Sequence, residues 1–204
     1  MSEATAQAPA NSSRRTWLIT SCAMGGVGAA AVAVPFVSTF QPSERAKAAG
    51  AAVEVDISGI QPGEKIVVEW RGKPVWILRR TPEQLEALAK IEDKLADPKS
   101  ERNPSEFTPE YARNVQRARE DRAEFAVLVA ICTHLGCSPS GPFASGSNAQ
   151  LGDVAGFVCP CHGSSFDLAG RVFKAMPAPD NLAVPPYMFL SDSRILVGQD
   201  TKEG

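Results

Sequence analysis

The hydrophobic pattern divides the chain into three regions. From Thr16 to Ser43 there is no charged residue, and the apolar run Trp17 to Phe40 is 24 residues long. As a helix it would measure about 36 Å at ~1.5 Å per residue. That exceeds the ~30 Å hydrocarbon layer of a bilayer, so the run predicts a single transmembrane helix over 17–40. Pro35 near its end is tolerable in such a helix. Residues 41–52, "QPSERAKAAGAA", are small and polar and predict a flexible tether, with a frayed helix end as the alternative.

From Val53 the pattern shortens to β-type runs. "VEVDI" alternates, and "EKIVVEW-RGKP-VWILRR" predicts a hairpin with Gly72 and Pro74 in its turn. A helical insert is expected over 81–123. Thr81-Pro82-Glu83-Gln84 has the form of a capping box, and Leu85, Leu88, Ile91 and Leu95 form a helical stripe. Thr108-Pro109-Glu110 predicts a second helix through "ARNVQRARED", and both helices read as solvated surface additions. "EFAVLVAI" (124–131) and "VAGFV" (154–158) predict strands that run directly into "CTHLGC" and "CPCHGS". "NLAVPPYMFL" and "RILVGQ" supply closing strands. The expectation is a mainly β head over 53–204, with a cluster of chemistry-bearing loops at about 130–180.

Charge and composition narrow the class. Net charge is -2 over 204 residues with 44% hydrophobic positions, which speaks against nucleic-acid binding and against wholesale disorder. Arg14 and Arg15 directly precede the apolar run, placing residues 1–16 on the cytoplasmic side by the positive-inside bias. "SRRTWL" also has the look of a twin-arginine export signal. "AKA" at 46–48 would suit a signal peptidase, but signal h-regions run only ~7–15 residues, which favours a retained anchor.

The two loops hold both histidines and four of the five cysteines of the chain. Cys22, within the apolar run, reads as a small filler. One Cys and one His from each loop, Cys132 with His134 and Cys159 with His162, would offer two thiolates and two imidazoles. That donor set suits a zinc ion or a [2Fe–2S] cluster of mixed ligation. Cys137 and Cys161 remain, one per loop. A four-cysteine cluster is the other arrangement, and it would leave the histidines without a role.

C-T-H-L-G-C followed by C-P-C-H-G-S resembles the Rieske [2Fe–2S] iron–sulfur subunit of the quinol–cytochrome c oxidoreductase (cytochrome bc) complex. The likeness extends to the signal-anchor, the tether, the β head and "MPAP" at 176–179, which matches the family's proline loop with Pro177 and Pro179. It implies a Rieske-type antiparallel β head with a small cluster-binding subdomain, behind one N-terminal transmembrane helix. Cys132 and Cys159 would ligate one iron, His134 and His162 the other, and Cys137–Cys161 would form a disulfide. His162 and His134 would contact the quinol and accept its proton. Gly136 and Gly163 would let backbone amides approach the sulfurs, Ser164 would donate to a cluster sulfide, and Leu135 would cover the cluster and dock on cytochrome b. Many members have tyrosine where this chain has Phe166, so one donor to a ligand sulfur is missing here.

The implied function is electron transfer from ubiquinol or a similar quinol, with a proton taken by a cluster histidine, to a c-type cytochrome. The implied partners are a cytochrome b subunit, a c-type cytochrome subunit, quinol and membrane, in a dimeric complex and without nucleic acid. The implied location is the bacterial cytoplasmic membrane, single-pass, with a periplasmic head. Two other readings are the small Rieske subunit of a periplasmic oxidase such as arsenite oxidase, and a zinc-stabilised binding module.

Overall fold

A computed structural model describes residues 12–43, 50–102 and 107–201. The chain divides into two compact units, Met1–Lys47 and Ala48–Gly204. The first contains helix α1, Ser12–Ser38, with Pro35 inside it. It begins five residues before the predicted Trp17, because nothing in Ser12–Thr16 breaks a helix. Its apolar side chains, Trp17, Met24 and Val27 among them, are exposed. Residues 13–38 are long and apolar enough to cross a membrane. Of the tether predicted at 41–52, residues 44–49 lie outside the described residues, and so do Ala46–Ala48.

The second unit holds nine described strands in three antiparallel sheets of three. The strands are β1 Val53–Asp56, β2 Lys65–Trp70, β3 Lys73–Arg79, β4 Phe125–Val129, β5 Ser140–Phe143, β6 Gly156–Val158, β7 Ser165–Asp167, β8 Tyr187–Ser191 and β9 Arg194–Val197. Their orders are β1-β9-β8, β2-β3-β4 and β5-β6-β7. β4 is buried along its whole length, as its unbroken "FAVLV" demands. Trp76 on β3 stacks on Phe157 on β6 at 4.5 Å, which joins the central sheet to the sheet below the loops.

The first hairpin differs from expectation in its turn. Arg71 and Gly72, with φ of 52° and 69°, make a two-residue turn, and Pro74 pairs with Glu69 inside β3. Two positive φ values match the right-handed twist of the strands, so a longer turn through Pro74 is unnecessary.

The insert departs further. Helix α2 spans Pro82–Ala89, capped by Thr81 and Gln84 as predicted. It stops there, and Ile91 and Leu95 reach the core from a 3₁₀ turn at Glu92–Lys94 and from an extended residue. The second predicted helix is absent. Only 3₁₀ turns form, at Glu110–Ala112 and Glu120–Arg122. Asn114 turns its amide onto the carbonyls of Tyr111 and Ala118, and Arg117 takes φ of 48°, which ends any helix there. The insert is also not a surface addition. Thr108, Ala112, Arg117 and Ala118 are completely buried.

Three buried guanidinium groups tie the insert to the rest of the head. Arg80 donates to the carbonyls of Gln116 (2.7 Å) and Ala123 (2.5 Å). Arg117 donates to Ala169 O (2.9 Å), Leu182 O (2.7 Å) and Thr108 Oγ1 (3.0 Å). Arg171 pairs with Asp167 at 2.8 Å and donates to Leu88 O on α2 at 2.7 Å. Asp167 also accepts the backbone N–H groups of Ala169 and Arg171. Arg171 and Asp167 are wholly shielded from water, so removing one strands the other. Asp167→Ala should cost about 3–5 kcal/mol in thermal or denaturant unfolding. Glu54→Ala, which breaks the exposed pair with Arg194, should leave the unfolding midpoint almost unchanged, because solvent screens that pair.

Candidate metal centre

The two Cys–His loops have one backbone design. Each leaves the end of a buried strand, β4 or β6, with a cysteine, and has a left-handed glycine four residues on. Cys132 N–H donates to Cys137 O (2.8 Å) and Gly136 N–H to Cys132 O (3.0 Å). Cys159 N–H donates to Ser164 O (2.8 Å) and Gly163 N–H to Cys159 O (3.0 Å). Gly136 and Gly163 have φ of 84° and 75°, a region that side-chain-bearing residues rarely enter. The four-residue reach fixes each loop as a tight pocket for its first cysteine.

Cys132 and Cys159 are free thiols, each 2% exposed. Burial is the largest influence on the Cys132 thiol and pushes its pKa up, against hydrogen bonds from the His134 backbone and Ser164 that lower it. A metal would therefore displace a proton on binding. The His134 and His162 rings meet edge to face with centroids 4.6 Å apart. His134 Nδ1 is buried with no hydrogen-bond partner. An orphaned buried ring nitrogen, on the same loop as the buried Cys132 thiol, is what a metal-ligand atom looks like. His162 is exposed. The donor set of two buried thiols and two imidazoles fits a mixed-ligand [2Fe–2S] cluster.

Cys137 and Cys161 form a disulfide across the loops. Sulfurs of Cys137, Cys159 and Cys161 lie within 4.8 Å of one another. Because two of them are bonded together, Cys159 alone of the three remains a thiol donor, which speaks against the four-cysteine arrangement. The proline loop closes the site from a third side. Ala178 N–H donates to Ser164 Oγ (2.9 Å), and Thr133 Oγ1 donates to Asp180 O (2.6 Å). Pro177 and Pro179 are exposed while Ala178 is buried. Leu135, 71% exposed, projects from the first loop as an apolar tip. Phe166 is completely buried on β7, opposite Phe157.

Three supporting residues escaped the sequence reading. Thr133 and Asp180 bond across 47 residues, a pairing no local pattern announces. Gln150, in the β5–β6 connection, donates its amide to Gly163 O and so braces the second loop.

Fold and site together define a Rieske-type iron–sulfur protein. The Rieske [2Fe-2S] domain family matches residues 108–186, and the chain carries that cofactor domain. A second family, "Ubiquitinol-cytochrome C reductase Fe-S subunit TAT signal", matches residues 2–43, which fits a membrane-anchored subunit. Three ubiquinol-cytochrome c reductase iron-sulfur subunits are similar over nearly the full length. That of Allochromatium vinosum is 48% identical, covering 92% of this chain and 88% of the relative. That of Rhodospirillum rubrum is 41% identical, covering 96% and 98%, and that of Bradyrhizobium diazoefficiens 40%, covering 95% and 99%. The chain belongs to the family of ubiquinol-cytochrome c reductase iron-sulfur subunits. That membership replaces the readings of a zinc module and of an arsenite oxidase subunit.

The disulfide has a direct check. Closing a segment with a sequence separation of 24 should contribute about 3 kcal/mol or more. Alkylation of the untreated protein should leave Cys137 and Cys161 unlabelled, and Cys137→Ala with Cys161→Ala should lower the unfolding free energy by about that amount.

Proposed function

We propose that this chain carries one electron from ubiquinol, or a similar quinol, at a cytochrome b subunit to a c-type cytochrome, within a dimeric respiratory or photosynthetic complex. Residues 1–16 form a cytoplasmic tail, 17–40 the anchor in a bacterial cytoplasmic membrane, 41–52 the tether, and 53–204 a periplasmic head. The observation that carries the reading is the orphaned His134 Nδ1, two residues along the loop from buried Cys132, with the exposed His162 ring 4.6 Å from the His134 ring between centroids.

In this reading Cys132 and Cys159 bind one iron, and His134 and His162 the other. Four thiolates would leave the oxidised site with a charge of about -2, whereas two thiolates and two neutral imidazoles leave it near zero. Adding an electron is then easier, and centres of this kind work at ~-150 to +300 mV against ~-400 mV for the all-cysteine type. Bound, the group supplies one-electron acceptance. The protein supplies the rest. His162, on the solvent side of its loop, meets the quinol hydroxyl and holds its proton on the free ring nitrogen. Leu135, Pro177 and Pro179 form the apolar surface that excludes water around that contact. Ser164, whose oxygen accepts from Ala178 N–H and whose hydroxyl hydrogen-bonds to the Cys132 thiol, would turn that proton to a sulfide of the bound group. Gly136 and Gly163 keep their loops tight enough for backbone amides to do the same.

Cys159→Ser or His162→Ala should abolish the cluster signal in electron paramagnetic resonance (EPR). A normal signal in either variant would sink the ligand assignment.

Phe166 gives a second check. A hydrogen bond to a ligand thiolate stabilises the reduced state more than the oxidised one. Phe166→Tyr should raise the midpoint potential by some tens of millivolts, the equivalent of one net hydrogen bond of ~1 kcal/mol. A fixed or lowered midpoint, with the cluster intact, would show that this position does not tune the centre.

A further inference from the structure

The buried interior of the head carries charge as well as packing. Charged side chains buried among the described residues are Arg80, Arg117 and Arg171 against Asp97 and Asp167, which leaves one net positive charge inside the head. Asp167 pairs with Arg171, and Asp97 accepts the backbone N–H groups of Glu101 and Arg102. Among the described residues, neither Arg80 nor Arg117 forms an ion pair with a carboxylate. Their partners are carbonyls and one hydroxyl. Burial lowers the Arg117 pKa to about 10, so the group remains a cation at neutral pH.

Arg117 is linked by hydrogen bonds to the strand that leads into the site. It holds Leu182 O, and the next residue, Ala183, accepts from Val129 N–H at 2.8 Å. Val129 ends β4, three residues before Cys132. The path from Cys132 along three residues at ~3.3 Å, across one strand spacing of ~4.8 Å, through one further residue and one hydrogen bond bounds the separation at roughly 20 Å, so the guanidinium lies on the order of 15 Å from Cys132. Its other carbonyl, Ala169 O, belongs to the turn that follows β7 and the second loop. Gly170 in that turn has φ of 71°, and a Cβ there would meet Leu128 and Leu182 at 3.1 Å and Arg117 Nη1 at 3.2 Å. The turn packs closely on both the leucines and the guanidinium.

We infer that Arg117 is a positioning and electrostatic residue for the cluster, whose buried positive charge raises the cluster's affinity for an electron. The inference rests on the [2Fe–2S] reading above. A unit charge about 15 Å away, at an effective dielectric of ~20, changes a one-electron equilibrium roughly five- to tenfold. At 59 mV per tenfold this is roughly 40–60 mV. The effect acts on the reduced state because that state carries the extra negative charge.

The test is a redox titration, followed by EPR, of the full-length chain in its membranes. Arg117→Gln should keep the cluster signal and lower the midpoint by roughly 40–60 mV. Arg117→Lys, which keeps the charge but loses the forked hydrogen bonds, should be less stable yet hold a midpoint close to the unmutated value. A merely structural role predicts the opposite pattern: Lys and Gln falling together, or Gln leaving the midpoint unchanged. Either result overturns the inference. Should Arg117→Gln assemble no cluster, Arg80→Gln removes the same net charge from the buried interior. It should lower the midpoint in the same direction, and an unchanged value there is equally fatal. Absence of a Rieske-type signal from the unmutated chain would instead overturn the proposed cofactor ligation.

Discussion

Two short loops projecting from strand ends have no core of their own, so the groups that hold them must come from elsewhere in the head. Here the holding is done by a few specific contacts. Each loop folds back on its first cysteine through a left-handed glycine, and the Cys137–Cys161 disulfide ties loop to loop. Ala178 and Asp180 bind the proline loop to both. With both loops fixed, two buried thiols and two imidazoles occupy one small region, and one imidazole remains open to a partner. A site that must accept an electron and meet a second molecule needs this combination of a rigid interior and an accessible rim.

Below the loops, the same requirement for rigidity runs through buried charge. The turn after β7 places Asp167 and Arg171 a few residues beyond Ser164, and Arg171 reaches across to α2. Asn181 extends the link, donating to Asp97 O and Ser100 Oγ and accepting from Val172 N–H. Guanidinium groups suit this task because several planar donors can satisfy carbonyls that would otherwise be buried without partners. The insert is therefore part of the wall that supports the centre.

Much of the site was legible because its chemistry is local. Cys132, His134, Cys159 and His162 announce themselves as candidate donors by residue type and spacing, and "FAVLV" can hardly be anything but a buried strand. The capping box at Thr81 was legible for the same reason. What could not be read depends on contacts distant in sequence. "ARNVQRARED" has the composition of an exposed helix, yet Arg117 is drawn into the core by carbonyls 52 and 65 residues away. Arg119 is held by Tyr187, 68 residues on. Short strands such as β5 and β7 carry too few residues for any period to show. Gln150 looks like any loop glutamine until Gly163 is placed beside it.

In the proposed ligation two histidines and two cysteines, not four cysteines, complete an iron–sulfur centre on these loops. The most direct measurement is the midpoint potential of the full-length protein at neutral pH, followed by EPR. The account predicts a single one-electron transition within ~-150 to +300 mV. A transition near ~-400 mV would indicate all-cysteine ligation, and a protein that binds zinc and shows no such transition would contradict the account outright.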